Sequence, residues 1–213
     1  MIIDTVHIND IPVVQNSQLI KKKRERFVYK NGGKYYKIWV PDWTQGDITK
    51  YALDKKYYCD KNAAALLSLI VDDNCQRGYI TKEGQRLGDT KDWGILCSKT
   101  SKDQRREFIL SLLENSFYAK GMFVDLVPSN LIVVDNKISL IDLDSFNSFD
   151  LIFRRKRAWY EKFDLDAWWK PHETAKRDTD KFYRSYFNSC LGITIDFPVD
   201  SEEAVTKLLE KIK

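Results

Sequence analysis

The chain has 213 residues, with 35 Lys and Arg against 31 Asp and Glu, a formal net charge of +4; at roughly 150 residues per domain this makes one compact unit or two small lobes. A hydrophobic fraction of 43% with nine Gly and five Pro excludes a disordered, collagen-like or low-complexity chain, and the charge surplus is too small to specify nucleic acid as the partner. Six Trp, eleven Tyr and eleven Phe are abundant aromatics, which means a large core, an adhesive surface, or both.

Residues 1–40 read as strands. Phe27-Val28-Tyr29-Lys30 and Tyr35-Tyr36-Lys37-Ile38-Trp39-Val40 are aromatic and β-branched. Between them sits Asn31-Gly32-Gly33, whose Asn-Gly is a strong hairpin signal because both turn positions can take positive φ. From about Lys50 to Val71 the apolar spacing predicts a helix. Residues 78–100 predict strands again, at Tyr79-Ile80-Thr81 and Gly94-Ile95-Leu96-Cys97. An amphipathic helix is expected from about Lys102 to Ala119, capped by Ser101, stopped by Gly121 and burying Phe108, Ile109, Leu112, Leu113, Ser116 and Phe117. A second hairpin follows, Leu131–Val134 and Ile138–Ile141, joined by Asp135-Asn136-Lys137. Residues 145–179 are polar, basic and aromatic without clear period, and helices are expected at Phe182–Leu191 and Glu202–Ile212. This order predicts an α+β chain of two lobes, residues 1–100 and 101–213.

Cys59, Cys75, Cys97 and Cys190 are far apart in the chain, and His7 and His172 are the two histidines, so reduced structural thiols are expected rather than a zinc site. The amino-terminal stretch carries acids early and lacks the basic-then-apolar layout of a signal peptide. No apolar run approaches the roughly 20 residues of a membrane span. The expectation is a cytoplasmic protein without a transmembrane segment.

The chemistry concentrates in Asp125-Leu126-Val127-Pro128-Ser129-Asn130, followed by the second hairpin and Ile141-Asp142-Leu143-Asp144. A strand out and a strand home return the chain to its origin, so Asp142 is expected at the same end as Asp125 and Asn130. Two carboxylates and an amide oxygen are hard ligands of the kind that hold Mg²⁺ beside phosphates. A carboxylate left off the metal is suited to orienting a hydroxyl nucleophile.

This D-x-x-x-x-N, hairpin, apolar-apolar-Asp pattern resembles the catalytic and metal-binding loops of the protein kinase-like superfamily. It is closer to bacterial lipopolysaccharide-core sugar kinases and minimal bacterial or viral kinases than to regulated protein kinases. The resemblance implies a β-rich N-lobe and a mainly helical C-lobe, with ATP and Mg²⁺ as cofactors. Asp125 would be the catalytic Asp, Asn130 and Asp142 the metal ligands, and Lys37 the phosphate-binding Lys, with Lys34 as second choice. Asp180, in Asp178-Thr179-Asp180, would lead the helix that buttresses the catalytic loop, or serve only as a helix-start acid. Asp144 is open as a second acid at the metal or a turn residue, and His172 reads as a surface residue.

Departures from the family accompany these matches. No G-x-G-x-x-G precedes Lys37, and the basic run Lys21-Lys22-Lys23-Arg24-Glu25-Arg26 stands in that region as the candidate phosphate cover. Phe123-Val124 replaces the His-Arg before the catalytic Asp, and no A-P-E follows. The expected helix after Lys37 offers Asp54 or Asp60 in place of a Glu partner. A second basic run, Arg154-Arg155-Lys156-Arg157, is followed by Trp159, Tyr160, Trp168 and Trp169, a mixture suited to a phosphorylated acceptor or, less favoured, to nucleic acid. A charge run is more often a solvated face than a binding site, and that reading stands for both runs. The expected activity is transfer of the ATP γ-phosphate to a hydroxyl of a protein Ser/Thr or a sugar-like molecule. The alternative is a weak or inactive pseudokinase acting as a scaffold.

Overall fold

The computed structural model describes residues 4–11, 18–22, 26–39, 65–72, 75–88, 92–123, 126–143, 146–148, 180–199 and 201–213. The fold is mixed α+β and divides into two compact units, Met1–Gln85 and Arg86–Lys213, against the expected division at 100/101. Among the described residues, no helix is long and apolar enough to cross a membrane.

The first unit is built on a sheet of β1 (Asp4–His7), β2 (Gln18–Lys22), β3 (Arg26–Asn31), β4 (Lys34–Trp39), β5 (Leu66–Asp72) and β6 (Cys75–Lys82), in the order β1-β5-β6-β4-β3-β2. β1 runs parallel to β5 and the other neighbours are antiparallel. The β3–β4 hairpin is the expected one. Asn31 pairs with Lys34, and the two turn residues Gly32 and Gly33 have φ of 57° and 73°. Consecutive positive φ values give the mirror-image turn whose twist matches that of the strands. One face of the sheet carries Tyr36, Ile70 and Ile80, closed by Ile11 and flanked by Ile8, Tyr29 and Ile38. The opposite face carries Lys37, Trp39 and Tyr79, with the Trp39 and Tyr79 rings edge-to-face at 6.2 Å.

The helix expected to reach Val71 is corrected here. Leu66–Asp72 is a strand with partners on both edges, β1 and β6. Adjacent Leu69 and Ile70, which face opposite sides of the sheet, are both buried, so the strand lacks a period-2 alternation that would separate it from a helix. The part of that expectation at 50–64 lies outside the described residues.

The second unit contains α1 (Trp93–Lys99), α2 (Lys102–Ala119), β8 (Gly121–Phe123), β9 (Leu131–Val134), β10 (Lys137–Leu140), β11 (Phe146–Ser148), α3 and α4 (Glu202–Ile212); β7 (Gln85–Arg86) spans the division. α3 is helical over 180–186 and widens into a π-turn at Phe187–Leu191. The strand expected at Gly94–Cys97 is instead part of α1. Asp92 starts this helix by accepting the Ile95 N–H at 2.9 Å, and Leu96 is its buried residue. α2 spans the expected residues, with Ser101 and Gln104 forming a reciprocal capping box. Two details of α2 differ from expectation. Lys120, left-handed at φ 50°, ends the helix, while Gly121 already belongs to β8. Phe117 is exposed rather than buried, whereas Asn115 joins the inner face.

Trp93, Phe108, Phe182 and Tyr186 form an aromatic cluster between α1, α2 and α3, with centroid separations of 5.4–6.0 Å for Trp93–Phe182, Trp93–Tyr186 and Phe108–Tyr186. Part of the aromatic surplus is therefore core. Arg105 secures the same region by donating to the carbonyls of Thr100, Cys97 and Cys190, the last at 2.9 Å, while the Tyr186 hydroxyl donates to the Arg105 carbonyl at 2.9 Å.

Cys97 and Cys190, 93 positions apart, are free thiols with Sγ atoms 3.8 Å apart. Burial, reinforced by the neighbouring Cys97 thiol, pushes the Cys190 thiol far above its ordinary pKa. Because the thiolate is the reactive form, iodoacetamide at pH 8 is expected to label Cys97 well before Cys190, with the two equalising in denaturant. Peptide mapping by mass spectrometry checks this, and equal native labelling would contradict the burial argument.

Candidate functional site

The candidate site grows from the β9–β10 hairpin. Its turn is Asp135-Asn136, with φ of 50° and 61°, short polar residues that tolerate the left-handed region. The ladder runs from Lys137↔Val134 to Leu140↔Leu131. It continues one step beyond the strands, where the Ile141 N–H donates to the Asn130 carbonyl at 3.0 Å. The hairpin thus returns the chain to Asn130, with Ile141 opposite it and Asp142 the next residue, twelve positions from Asn130 in the sequence. Asn130 is also held from the other side, its N–H donating to the Val127 carbonyl at 2.9 Å in the 3₁₀ turn Pro128–Asn130.

Burial explains why this end is well defined. Leu126, Leu131, Leu140 and Leu143 are fully buried and anchor the backbone on both sides, while Asn130 and Asp142 remain half-buried. Asp142 carries a carboxylate and Asn130 an amide oxygen at this end of the hairpin. That set fits Mg²⁺, which keeps several waters and binds through one or two carboxylates plus substrate phosphates. Among the described residues there is no cluster of three or more His, Cys, Asp or Glu.

Asp125 and Asp144 lie outside the described residues, as do Asp54, Asp60, His172 and the run 154–157. Lys37 lies in the first unit, on β4, and is 8% exposed. Its Nζ donates to the Tyr79 hydroxyl at 2.8 Å and stands 5.1 Å from the Tyr79 ring centroid. Burying an ammonium is costly unless it is hydrogen-bonded and paired, so this is an organised seat rather than a surface lysine. Lys34, the second choice, is exposed at the start of β4. Asp180 accepts from Arg184 Nε at 2.8 Å and from the Val199 N–H at 2.9 Å, tying the start of α3 to the segment before α4.

No protein-family model and no curated protein matches this sequence. The functional reading therefore rests on the residues themselves. Two contributors escaped sequence reading. Tyr79 was legible as a strand residue, but its pairing with Lys37 depends on a register set 42 positions away. Gly78 was not distinguishable from any other glycine, yet it sits where β6 passes closest to the Lys37 carbonyl.

Proposed function

We propose that this chain is a small kinase-like phosphotransferase of two lobes that passes the γ-phosphoryl group of ATP to a hydroxyl of a protein or a sugar-like molecule. The observation that carries the reading is the Ile141–Asn130 backbone hydrogen bond, which returns the chain to Asn130 one residue before Asp142, in the sequence order D-x-x-x-x-N, hairpin, Asp. The buried, hydrogen-bonded Lys37 on a central strand supports it.

In this reading Asn130 and Asp142 hold Mg²⁺, and Lys37 binds the nucleotide phosphates. Asp125 orients the acceptor hydroxyl and takes its proton as the hydroxyl oxygen bonds to phosphorus and ADP departs. Bound Mg²⁺ would neutralise charge on the phosphates. What the chain supplies is positioning and fixed charge, which is most of what phosphoryl transfer asks of a protein.

The scaffold alternative is favoured by the β2–β3 connection, where Lys23-Arg24-Glu25 stands in place of glycines. Thermal unfolding with ATP and Mg²⁺ tests the nucleotide site. Ligand at a hundred times its Kd should stabilise the fold by about 2.7 kcal/mol, and EDTA should remove most of that gain. Stabilisation together with ADP release supports the transferase, and stabilisation without turnover supports the scaffold. No stabilisation over a wide ATP range removes the transferase and favours the scaffold.

A further inference from the structure

We propose that Lys21 is a second phosphate-binding cation of the nucleotide site, turned onto the Lys37 face of the sheet by a one-residue bulge. The inference rests on the kinase-like reading and adds a residue to it. β2 and β3 pair Leu19 with Tyr29 and then Lys21 with Val28, so Ile20 is the extra residue. Val28 pairs in turn with Lys37, and Lys37 with Tyr79. Directly opposed residues of an antiparallel ladder put their side chains on the same face, as the Lys37–Tyr79 hydrogen bond shows. Lys21, Val28, Lys37 and Tyr79 thus form one row across four strands. Their neighbours Tyr29, Tyr36 and Ile80 belong to the apolar cluster on the other face.

The bulge decides which residue occupies this position. In an unbroken ladder Ile20 would oppose Val28, and Lys21 would fall on the face of the apolar cluster. The shift instead leaves Ile20 42% exposed and brings a cation into the row. Bulges commonly re-aim a side chain beside a functional site. A lysine that merely guards the edge strand against pairing with another chain would serve on either face, so that role does not account for the row.

At about 4.8 Å per strand, the Lys21 and Lys37 backbones stand about 10 Å apart. Lys37 is buried and Lys21 exposed, so one ammonium meets a polyphosphate from the floor and the other from the rim. No G-x-G-x-x-G precedes Lys37 in the sequence to hold those phosphates with backbone N–H groups. A side-chain cation on the first strand of the same hairpin supplies the attraction by charge.

Isothermal titration of the full chain with ATP, ADP and AMP in Mg²⁺ tests this, using wild type, Lys21→Ala and Lys21→Arg. Loss of one charge-assisted contact should weaken ATP and ADP by about tenfold in Lys21→Ala, leave AMP within about twofold, and be largely restored in Lys21→Arg. Lys21 is exposed, so the variants should fold, which circular dichroism confirms. If wild type binds ATP and Lys21→Ala binds it equally well, or loses AMP as much as ATP, the proposal falls while the nucleotide site stands. If wild type binds none of the three, the kinase-like reading falls and takes this inference with it.

Discussion

Replacing Asp142 by Asn is expected to lower ATP turnover by at least about a hundredfold, the scale of losing one charge-stabilising group at a phosphoryl- or acyl-transfer centre, while the fold persists. The substitution keeps the shape of the side chain and removes its charge. The position is set by the backbone, through the Ile141–Asn130 hydrogen bond and the buried Leu140 and Leu143, none of which needs the carboxylate. Asn130→Ala should cost less, about tenfold, because it removes a neutral donor oxygen rather than a charge. ADP release measured beside thermal unfolding separates the two kinds of damage. Turnover in Asp142→Asn equal to wild type would remove the hairpin end from catalysis.

Gly78→Ala is expected to give the largest stability loss in the first unit, about 3 kcal/mol. A Cβ built there would stand 1.9 Å from the Lys37 carbonyl oxygen and 3.1 Å from the Ile38 Cα, both backbone atoms of β4. A flexible side chain can swing aside, but a strand can yield only by parting from its neighbour. The β4–β6 ladder would have to open beside Lys37, so nucleotide affinity should fall together with stability. Gly32→Ala is the control: nothing lies within 4 Å of its Cβ, and only its φ of 57° is strained, which predicts a loss nearer 1 kcal/mol. Urea denaturation of both variants checks the order. A milder loss at Gly78 than at Gly32 would contradict the close-approach argument.

Features with local causes were legible in the amino-acid order. Both hairpins follow from turn residues that accept positive φ, at Gly32-Gly33 and Asp135-Asn136. α2 follows from its period and from a capping box contained in four consecutive residues, Ser101 to Gln104. The return of the chain from Asn130 to Ile141 was legible for the same reason, since a short hairpin brings the chain back to its start whatever surrounds it.

Features with distant causes were not legible. Leu66–Asp72 and Trp93–Lys99 are short apolar segments of seven residues each, and tertiary partners decide their state. The partner of Lys37, the bulge at Ile20 and the approach of Cys97 to Cys190 all depend on register or packing between segments far apart in the chain. The candidate ligands could thus be named from sequence, while the groups that seat them could not.

The parallel pairing of β1 with β5 bears on how the protein must be handled. Residues 4–7 pair with Ser68–Val71, four of the seven residues on one edge of a strand whose sequence is Leu-Leu-Ser-Leu-Ile-Val-Asp. Without that cover, a row of unpaired N–H and C=O groups on an apolar strand would be open to any other chain, the usual starting point for self-association. Loss of residues 4–7 would therefore trade four residues of sheet for a tendency to aggregate.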